Sequence, residues 1–359
     1  MKLRNHAFDL LCGLCIIRMI MLHCISLCGY RDSLWFSKLM AWTFFFLCFF
    51  FFKAGYFNKG VHTPFPTYLW DRIKRLLVPY LSWGAIGSVV FFGLIALFPE
   101  ELEGVSKKLK VEHVWLQSHF YGNPPVWFLF SFFWMYVLVG IRSLIPRVKG
   151  ITSVLEWGVF LACPFVSYWL WTQKNPIYMS LNNLSMGLLF FYLGHLWKQL
   201  QDRIPRNYFV ALSVLLTVGF AVGNHFWHGE YDMSLNKWVQ NPWGAVVNIS
   251  CALCGLSGLL LSIPLPRIPI VGYIGEHSMV YFVMHYPIIH YIKLIRQIGK
   301  HPIYHHWNDF ILMVIIILLM CSWMVPYIER IPLLSGRWKK KVVAVGTDTN
   351  DRPTTADPS

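Results

Sequence analysis

Residues Phe8 to Leu27, FDLLCGLCIIRMIMLHCISL, decide the fold class of this 359-residue chain. The run is long enough to cross a bilayer as an α-helix, which needs about 20 consecutive apolar residues. Apart from its cysteines, its titratable side chains are Asp9, Arg18 and His23. An ionisable group inside a bilayer costs several kcal/mol unless it faces protein or water. The stretch therefore predicts a membrane helix with a polar face, and His23 is the first candidate functional residue.

The whole chain has the composition of an integral membrane protein. It is 56% hydrophobic and 13% charged, whereas soluble domains carry about 25% charged residues. We expect an all-α polytopic bundle of about ten transmembrane helices in one membrane domain, residues 1–341. The polar segment 342–359 predicts a disordered cytoplasmic tail. The ten predicted spans are 8–29, 38–57, 76–98, 124–145, 151–171, 181–197, 208–226, 243–263, 277–295 and 308–328.

The distribution of charge predicts how the chain lies in the membrane. An even number of spans places both termini on one side, and more lysines and arginines lie on that side than on the other. Because positive residues favour the cytoplasm, we expect both termini to be cytoplasmic. The net charge of +14 is spread over the loops, which indicates contacts with lipid headgroups and no nucleic-acid partner. The nine cysteines lie almost entirely in apolar segments, so neither a disulfide framework nor a metal site is predicted.

A helical wheel sorts the polar residues of the first span. Cys12 and His23 share a face within roughly 20° and lie roughly 16 Å apart along the axis. Asp9 falls within roughly 40° of that face, so we expect Asp9 and His23 to look into the same interior from opposite ends. Arg18 lies about 140° around from His23 and is expected not to join it without a helix distortion. The alternative for His23 is a hydrogen bond to a neighbouring helix that serves packing alone.

Three basic residues on the predicted cytoplasmic side are candidate phosphate ligands. Arg72 and Arg75, at i and i+3, share one helix face at the start of the third span. Arginine forks suit phosphate groups, although a positive-inside anchor explains the same pattern. Lys53 lies near the predicted cytoplasmic end of the aromatic run from Phe44 to Tyr56. It is either a third phosphate ligand or a side chain that snorkels to the interface.

Four further residues are candidate site residues. Trp127 and Phe128 follow a Pro-Pro turn at the outer start of the fourth span. Tyr281 and His285, at i and i+4, share a helix face just before Pro287. A second intramembrane histidine strengthens the prediction of a polar interior, although a structural role explains either histidine as well.

Taken in order, these pieces resemble the acyltransferase 3 family of integral membrane acyltransferases. The resemblance implies a cytoplasmic acyl-CoA donor, an essential membrane-embedded histidine and an acceptor sugar at or beyond the outer face. The family pattern has Arg or Lys where this chain has Cys12, and we hypothesise that Lys53 supplies the missing charge. The matching pieces are Phe8 to Gly13 followed by His23, Phe44 to Tyr56, Arg72-x-x-Arg75 with Pro79-Tyr80, Trp127-Phe128-Leu129, Phe191-Tyr192-Leu193-Gly194 and Ser278 to Pro287.

The resemblance completes the expected function. We expect an O-acyltransferase of the bacterial inner membrane that moves an acyl group, acetyl by preference, from acyl-CoA to a hydroxyl of a surface glycan or its lipid-linked precursor. His23 would act as general base or transient acyl carrier, and no permanently bound cofactor is expected. The alternatives are a transporter or flippase for a lipid-linked glycan and a catalytically inactive homologue. The expected residues are His23 and Asp9 for catalysis, Arg72, Arg75 and Lys53 for CoA, and Trp127, Phe128, Tyr281 and His285 for the acceptor.

Overall fold

The computed structural model describes residues 5–28, 33–107, 119–145, 151–173, 178–226, 229–264, 268–300 and 307–338. The side chains of 26–27, 151–155 and 178–180 are outside this description. The predicted disordered tail, 342–359, also lies outside the described residues.

Helices lie over all ten predicted spans. Seven stretches of the described residues are long and apolar enough to cross a membrane, which confirms an all-α integral membrane architecture. The count of ten and the cytoplasmic location of the termini stay predictions. The helices are α1 (His6–Cys28), α2 (Leu34–Thr43), α3 (Phe46–Tyr56), α4 (Phe65–Arg72), α5 (Val78–Leu97), α6 (Glu103–Ser106), α7 (Trp127–Leu144), α8 (Ile151–Thr172), α9 (Leu184–Arg203), α10 (Arg206–Phe226), α11 (Pro242–Ser262), α12 (Pro269–Glu276), α13 (Ser278–Ile298), α14 (Trp307–Ile328) and α15 (Pro332–Ser335).

Two of the spans are interrupted, and both interruptions lie near candidate residues. A two-residue turn at 44–45 separates α2 from α3. A π-helical turn, Ile73–Leu77, joins α4 to α5 and contains Arg75. Pro79 follows this turn and has no N–H to donate to the carbonyl of Arg75, which accounts for the loss of the regular helical ladder there. Such π-helical turns occur frequently at functional sites.

Small residues bring α3 and α9 into backbone contact. A Cβ atom on Gly55 would lie 1.7 Å from the carbonyl oxygen of Phe191. A Cβ atom on Gly194 would lie 2.0 Å from the carbonyl oxygen of Phe52. Close approach through small residues is the usual way in which membrane helices pack. The contact fixes α3, and with it Lys53, against the rest of the bundle.

A β-hairpin between α10 and α11 folds into the bundle, although the predicted all-α fold contained no strand. Its strands are β1 (Gly229–Asp232) and β2 (Lys237–Gln240), and they pair antiparallel. Tyr231 and Trp238 face each other across the hairpin and are each 2% exposed. The sulfur of Met233 lies 3.9 Å from that of Cys48 on α3. The hairpin is therefore part of the core.

A buried polar network holds the hairpin against α8. The Tyr231 hydroxyl donates to Asn236 Oδ1 at 2.9 Å, and Ser167 Oγ donates to the same oxygen at 2.6 Å. Asn236 Nδ2 donates in turn to the carbonyl of Ser167 at 3.1 Å. Burial raises the pKa of the Tyr231 hydroxyl well above its usual value, so this group remains a hydrogen-bond donor.

Candidate functional site

The three basic candidates line one cavity of about 520 Å³, which we call the basic cavity. Lys53, Arg72 and Arg75 are joined there by Lys59. Neither Asp nor Glu is among its described lining residues. Much of the remaining wall is aromatic and aliphatic, and the volume is typical of a small-molecule site. A cationic rim above an apolar interior suits an anionic ligand with an uncharged arm. The apolar lining residues are Phe50, Phe57, Leu76, Phe128, Leu129, Phe132, Met279 and Phe282.

Neighbouring side chains fix both guanidinium groups at this rim. Arg72 lies over two tyrosine rings, with its Cζ 4.9 Å from the ring centroid of Tyr68 and 4.4 Å from that of Tyr136. Arg72 Nε is buried and has no hydrogen-bond partner among the described residues. Arg75 Nε donates to Asp71 Oδ1 at 2.9 Å. Cation–π contacts and an ion pair therefore restrain the two guanidinium groups, and both residues line the same cavity.

Lys53 lies next to Cys12, the position where the resemblance leads us to expect a basic residue. Its Nζ donates to Cys12 Sγ at 2.9 Å. Cys12 itself is fully buried on α1, whereas Lys53 also lines the basic cavity. The structure thus places a cation from α3 beside position 12 of α1, as the hypothesis of a substitute charge requires.

His23 lines a second cavity, of about 600 Å³, which we call the histidine cavity. Trp127 lies in its wall, and the exposed carboxylates Glu230 and Asp232 of the hairpin lie at its rim. The edge of Tyr286 contacts the His23 ring, with 5.1 Å between the ring centroids. The two carboxylates are absent from the site residues predicted from the sequence. The alternation of polar and apolar residues over GEYDM is their only signal, because one face of a strand is buried while the other is exposed.

Arg18 also lines the histidine cavity, so the expectation that it would not join His23 is wrong. Its Nε donates to Thr43 Oγ1 at 3.2 Å, and its Cζ lies 3.8 Å from the ring centroid of Phe46. Both partners flank the break between α2 and α3. The helical wheel gives only the direction in which a side chain leaves the backbone. A long arginine that is drawn toward the break reaches the cavity from another side of α1.

His285 packs behind His23 and not on a cavity wall. The two ring centroids are 5.2 Å apart, and His285 is fully buried. His285 Nδ1 lies 2.7 Å from the carbonyl oxygen of Phe282 and 3.1 Å from that of Tyr281. Because carbonyls only accept hydrogen bonds, Nδ1 carries the proton and donates. The lone pair is therefore on Nε2, which is buried and has no partner in the described part of the chain.

Two other candidates are not brought to these cavities. The Tyr281 hydroxyl lies 2.5 Å from Ser322 Oγ on α14, and its side chain lines neither cavity. Asp9 lines a separate cavity of about 430 Å³ together with Glu276. A Cβ atom on Gly275 would lie 1.7 Å from the carbonyl oxygen of Asp9. Because α12 packs so closely on that side of α1, Asp9 and His23 do not look into the same interior, and this expectation is corrected.

A single pair of aromatic rings separates the basic cavity from the histidine cavity. Phe128 and Phe282 line both cavities, and their ring centroids are 5.2 Å apart. Their neighbours show the same division, since Trp127 lines only the histidine cavity and Leu129 only the basic cavity. The first turn of α7 therefore lies across the boundary. Ligands bound in the two cavities would therefore be separated by one layer of aromatic rings.

Comparison with known proteins gives one match. The acyltransferase 3 family model, described as an acyltransferase domain, matches residues 5–332. This range contains every described residue that lines the basic cavity or the histidine cavity. We found no curated protein and no solved structure that matches the chain.

Proposed function

Because the chain belongs to the acyltransferase 3 family, we propose that this membrane acyltransferase takes its acyl group from cytoplasmic acyl-CoA. The acceptor is a hydroxyl of a surface glycan or of its lipid-linked precursor, and acetyl is the acyl group that we favour. The observation that carries the proposal is the pair of cavities, one basic and one containing His23, with a single aromatic layer between them. We place the enzyme in a bacterial inner membrane with the basic cavity toward the cytoplasm.

The basic cavity supports CoA as the donor. CoA carries phosphates at one end and a long uncharged arm that ends in the thioester. Arg72 and Arg75 present forks that can each bind a phosphate through two hydrogen bonds, and Lys53 and Lys59 add positive charge at the same rim. The apolar inner wall receives the arm and directs the thioester toward Phe128 and Phe282. Lys53 of the basic cavity contacts Cys12 on α1. Along that helix roughly 16 Å separates position 12 from His23, a distance that the extended arm covers.

His23 supports the transfer step as general base or acyl carrier. In the direct route the acceptor hydroxyl attacks the thioester carbonyl, the C–S bond breaks and an ester C–O bond forms. His23 takes the hydroxyl proton and passes it to the departing thiolate of CoA. In the two-step route a nitrogen of His23 attacks the thioester carbonyl, the C–S bond breaks and CoA leaves as the thiol with the imidazole proton. The acceptor hydroxyl then attacks the acyl-imidazole, the C–N bond breaks as the ester C–O bond forms, and the hydroxyl proton returns to the imidazole. In both routes we propose His285 as a positioning residue, because its ring packs against that of His23, with 5.2 Å between the ring centroids, and restricts how the His23 ring can turn.

The histidine cavity supports a glycan as the acceptor. The aromatic rings of Trp127 and Tyr286 offer flat apolar surfaces to a sugar ring. The carboxylates of Glu230 and Asp232 accept hydrogen bonds from hydroxyl groups. Both carboxylates are exposed, so the acceptor reaches His23 from the side of the hairpin.

A catalytically inactive homologue is the second candidate, and Cys12 is the observation that favours it. The family pattern has a basic residue at this position, whereas here the charge comes from Lys53, whose Nζ lies 2.9 Å from the cysteine sulfur. An inactive homologue would retain CoA binding in the basic cavity and lack acyl transfer.

Transfer of label from radiolabelled acetyl-CoA tests the proposal. Membranes of the native cells, with their own copy replaced by each variant, are compared for incorporation into glycan and glycolipid fractions. We expect the wild type to transfer label, and His23→Ala to lose at least about 100-fold, as expected for removal of a general base. His225→Ala is the matched control, because His225 is exposed at the end of α10 and lines neither cavity.

Three outcomes contradict the proposal in different ways. Activity that survives His23→Ala rejects the assigned role of the histidine. A wild type that binds CoA without transferring label is the inactive homologue. Export of a lipid-linked glycan without any acylation identifies a transporter.

A further inference from the structure

Phe128 and Phe282 lie between the basic cavity and the histidine cavity. Under the proposed function, the acyl group passes from the first cavity to the second at this position. His23 lines the histidine cavity alone, whereas Lys53, Arg72 and Arg75 line the basic cavity alone. The layer that the two cavities share therefore lies between the imidazole and a donor held by its phosphates at the basic rim. This inference rests on the proposed function and adds to it the size of the acyl group.

We infer that the Phe128–Phe282 pair is the acyl-size selector of the enzyme, and that it admits acetyl and excludes chains of four or more carbons. The two rings contact each other with their planes tilted by 51°, and each side chain is 6% exposed. Because the two rings are in contact, any acyl group has to part them, and the displacement that it needs grows with the length of its chain. Each further methylene has to push a ring into its packed surroundings, and overpacking of that kind is costly.

The two rings differ in how firmly they are held. Phe128 contacts four further aromatic rings, with centroid distances between 5.3 and 5.8 Å. Among the described residues, the ring contacts of Phe282 are with Phe128 and, at 6.2 Å, with His285. We therefore expect the ring of Phe128 to stay in place when an acyl group passes and the ring of Phe282 to move. The rings around Phe128 are Phe50, Phe51, Trp127 and Phe132.

The backbone under Phe282 connects the selector to the histidine pair. The carbonyl of Phe282 accepts the hydrogen bond from His285 Nδ1 at 2.7 Å, and the His285 ring lies beside His23. The main chain at this position is thus fixed by the same bond that sets the His285 tautomer. A change in the side chain of Phe282 alters the width of the passage and leaves this bond in place.

The test measures acyl-chain preference within each variant. Membranes containing the wild type, Phe282→Ala, Phe282→Trp or Phe133→Ala receive radiolabelled acetyl-, propionyl-, butyryl- or octanoyl-CoA, and transfer to the acceptor is compared. A pocket discriminates one methylene by about 10- to 200-fold. We therefore expect Phe282→Ala to raise the butyryl-to-acetyl ratio at least about tenfold and Phe282→Trp to lower the propionyl-to-acetyl ratio. Phe133→Ala keeps the wild-type ratios, since Phe133 is equally buried on α7 but lines neither cavity.

The outcomes separate this inference from the proposed function. A wild type that transfers no acyl group from any donor refutes the function. A wild type that transfers acetyl, together with a Phe282→Ala variant whose chain-length ratios are unchanged, refutes the selector and leaves the function standing. A wild type that prefers butyryl or octanoyl over acetyl also refutes the selector. If Phe282→Ala does not accumulate in the membrane, Phe282→Leu opens a smaller gap and is judged by the same ratios.

Discussion

The contact between Lys53 and Cys12 leads to a prediction about CoA affinity. We expect Cys12→Lys to weaken CoA binding when Lys53 is present and to strengthen it when Lys53 has been replaced. In the wild type the Lys53 ammonium donates to Cys12 Sγ at 2.9 Å and lines the basic cavity. Lys53→Met keeps the aliphatic length and removes the charge. A hydrogen bond to a charged group contributes about 1.5–3 kcal/mol, so we expect the Kd of CoA to rise about 10- to 100-fold.

In a second variant, a lysine on α1 replaces the charge that Lys53→Met removes. Cys12→Lys in the Lys53→Met background supplies an ammonium at the position where the family has one. It should recover part of the lost affinity, with a coupling of about 0.5–3 kcal/mol between the two sites. In the wild-type background the same Cys12→Lys change puts two ammonium groups in contact and should weaken CoA binding. The same substitution is thus harmful in one background and helpful in the other.

Equilibrium binding of CoA to the detergent-solubilised protein measures both effects, with acetyl transfer as a second readout. Lys198→Met is the matched control, because this partly exposed lysine pairs with Asp202 at the end of α9 and lines neither cavity. An unchanged Kd in Lys53→Met would show that the lysine only snorkels to the interface. Equal weakening by Cys12→Lys in both backgrounds would refute the substitute-charge hypothesis.

Three further predictions concern the other elements of the two cavities. Arg72→Ala together with Arg75→Ala should weaken CoA binding more than it lowers protein abundance, because both guanidinium groups line the basic cavity; equal loss of both would identify a positive-inside anchor. Gly194→Ala should destabilise the fold by about 1–3 kcal/mol, seen as a lower thermal midpoint in detergent, since its Cβ would lie 2.0 Å from a carbonyl oxygen of α3. Asn236→Ala removes the buried oxygen that accepts hydrogen bonds from the hydroxyls of Tyr231 and Ser167, at a cost of about 1–3 kcal/mol. It should raise the KM for the acceptor and spare that for acetyl-CoA, whereas an equal rise in both KM values would separate the hairpin from acceptor binding.

Residues whose position follows from local periodicity were placed correctly from the sequence. Arg72 and Arg75 line one cavity, as an i and i+3 pair on one helix face should. The π-helical turn between α4 and α5 does not separate them. Here the neighbours along the chain carry the information.

The errors arise where a distant segment decides which way a side chain faces. Asp9 lies near the face of His23 on a helical wheel, yet α12 packs against its end of α1. Tyr281 and His285 differ by only about 40° on their helix, which suffices for one to meet α14 and the other to meet α1. A wheel gives directions around one helix. It holds no information about which helix stands in each direction.

The hairpin could not be predicted for a similar reason. Its strands are four residues each, and an isolated hairpin of this length is at best marginally stable in water. Its stability comes from contacts far away in the sequence, such as that of Met233 with Cys48 and that of Asn236 with Ser167. The carboxylates of the histidine cavity depend on those contacts, so their role became visible only in the folded chain.

The separation of the two cavities also addresses a chemical problem that the proposed reaction poses. A thioester next to a water-filled acceptor site is open to hydrolysis, and an enzyme that excludes water from its donor prevents that loss. The histidine cavity has exposed carboxylates at its rim, whereas the layer of Phe128 and Phe282 is apolar and nearly fully buried. Under the proposed function, an acyl-CoA in the basic cavity would be kept from water on the acceptor side until its acyl group enters the layer. We therefore expect the two rings that we propose as the acyl-size selector also to favour transfer to a bound hydroxyl over transfer to water.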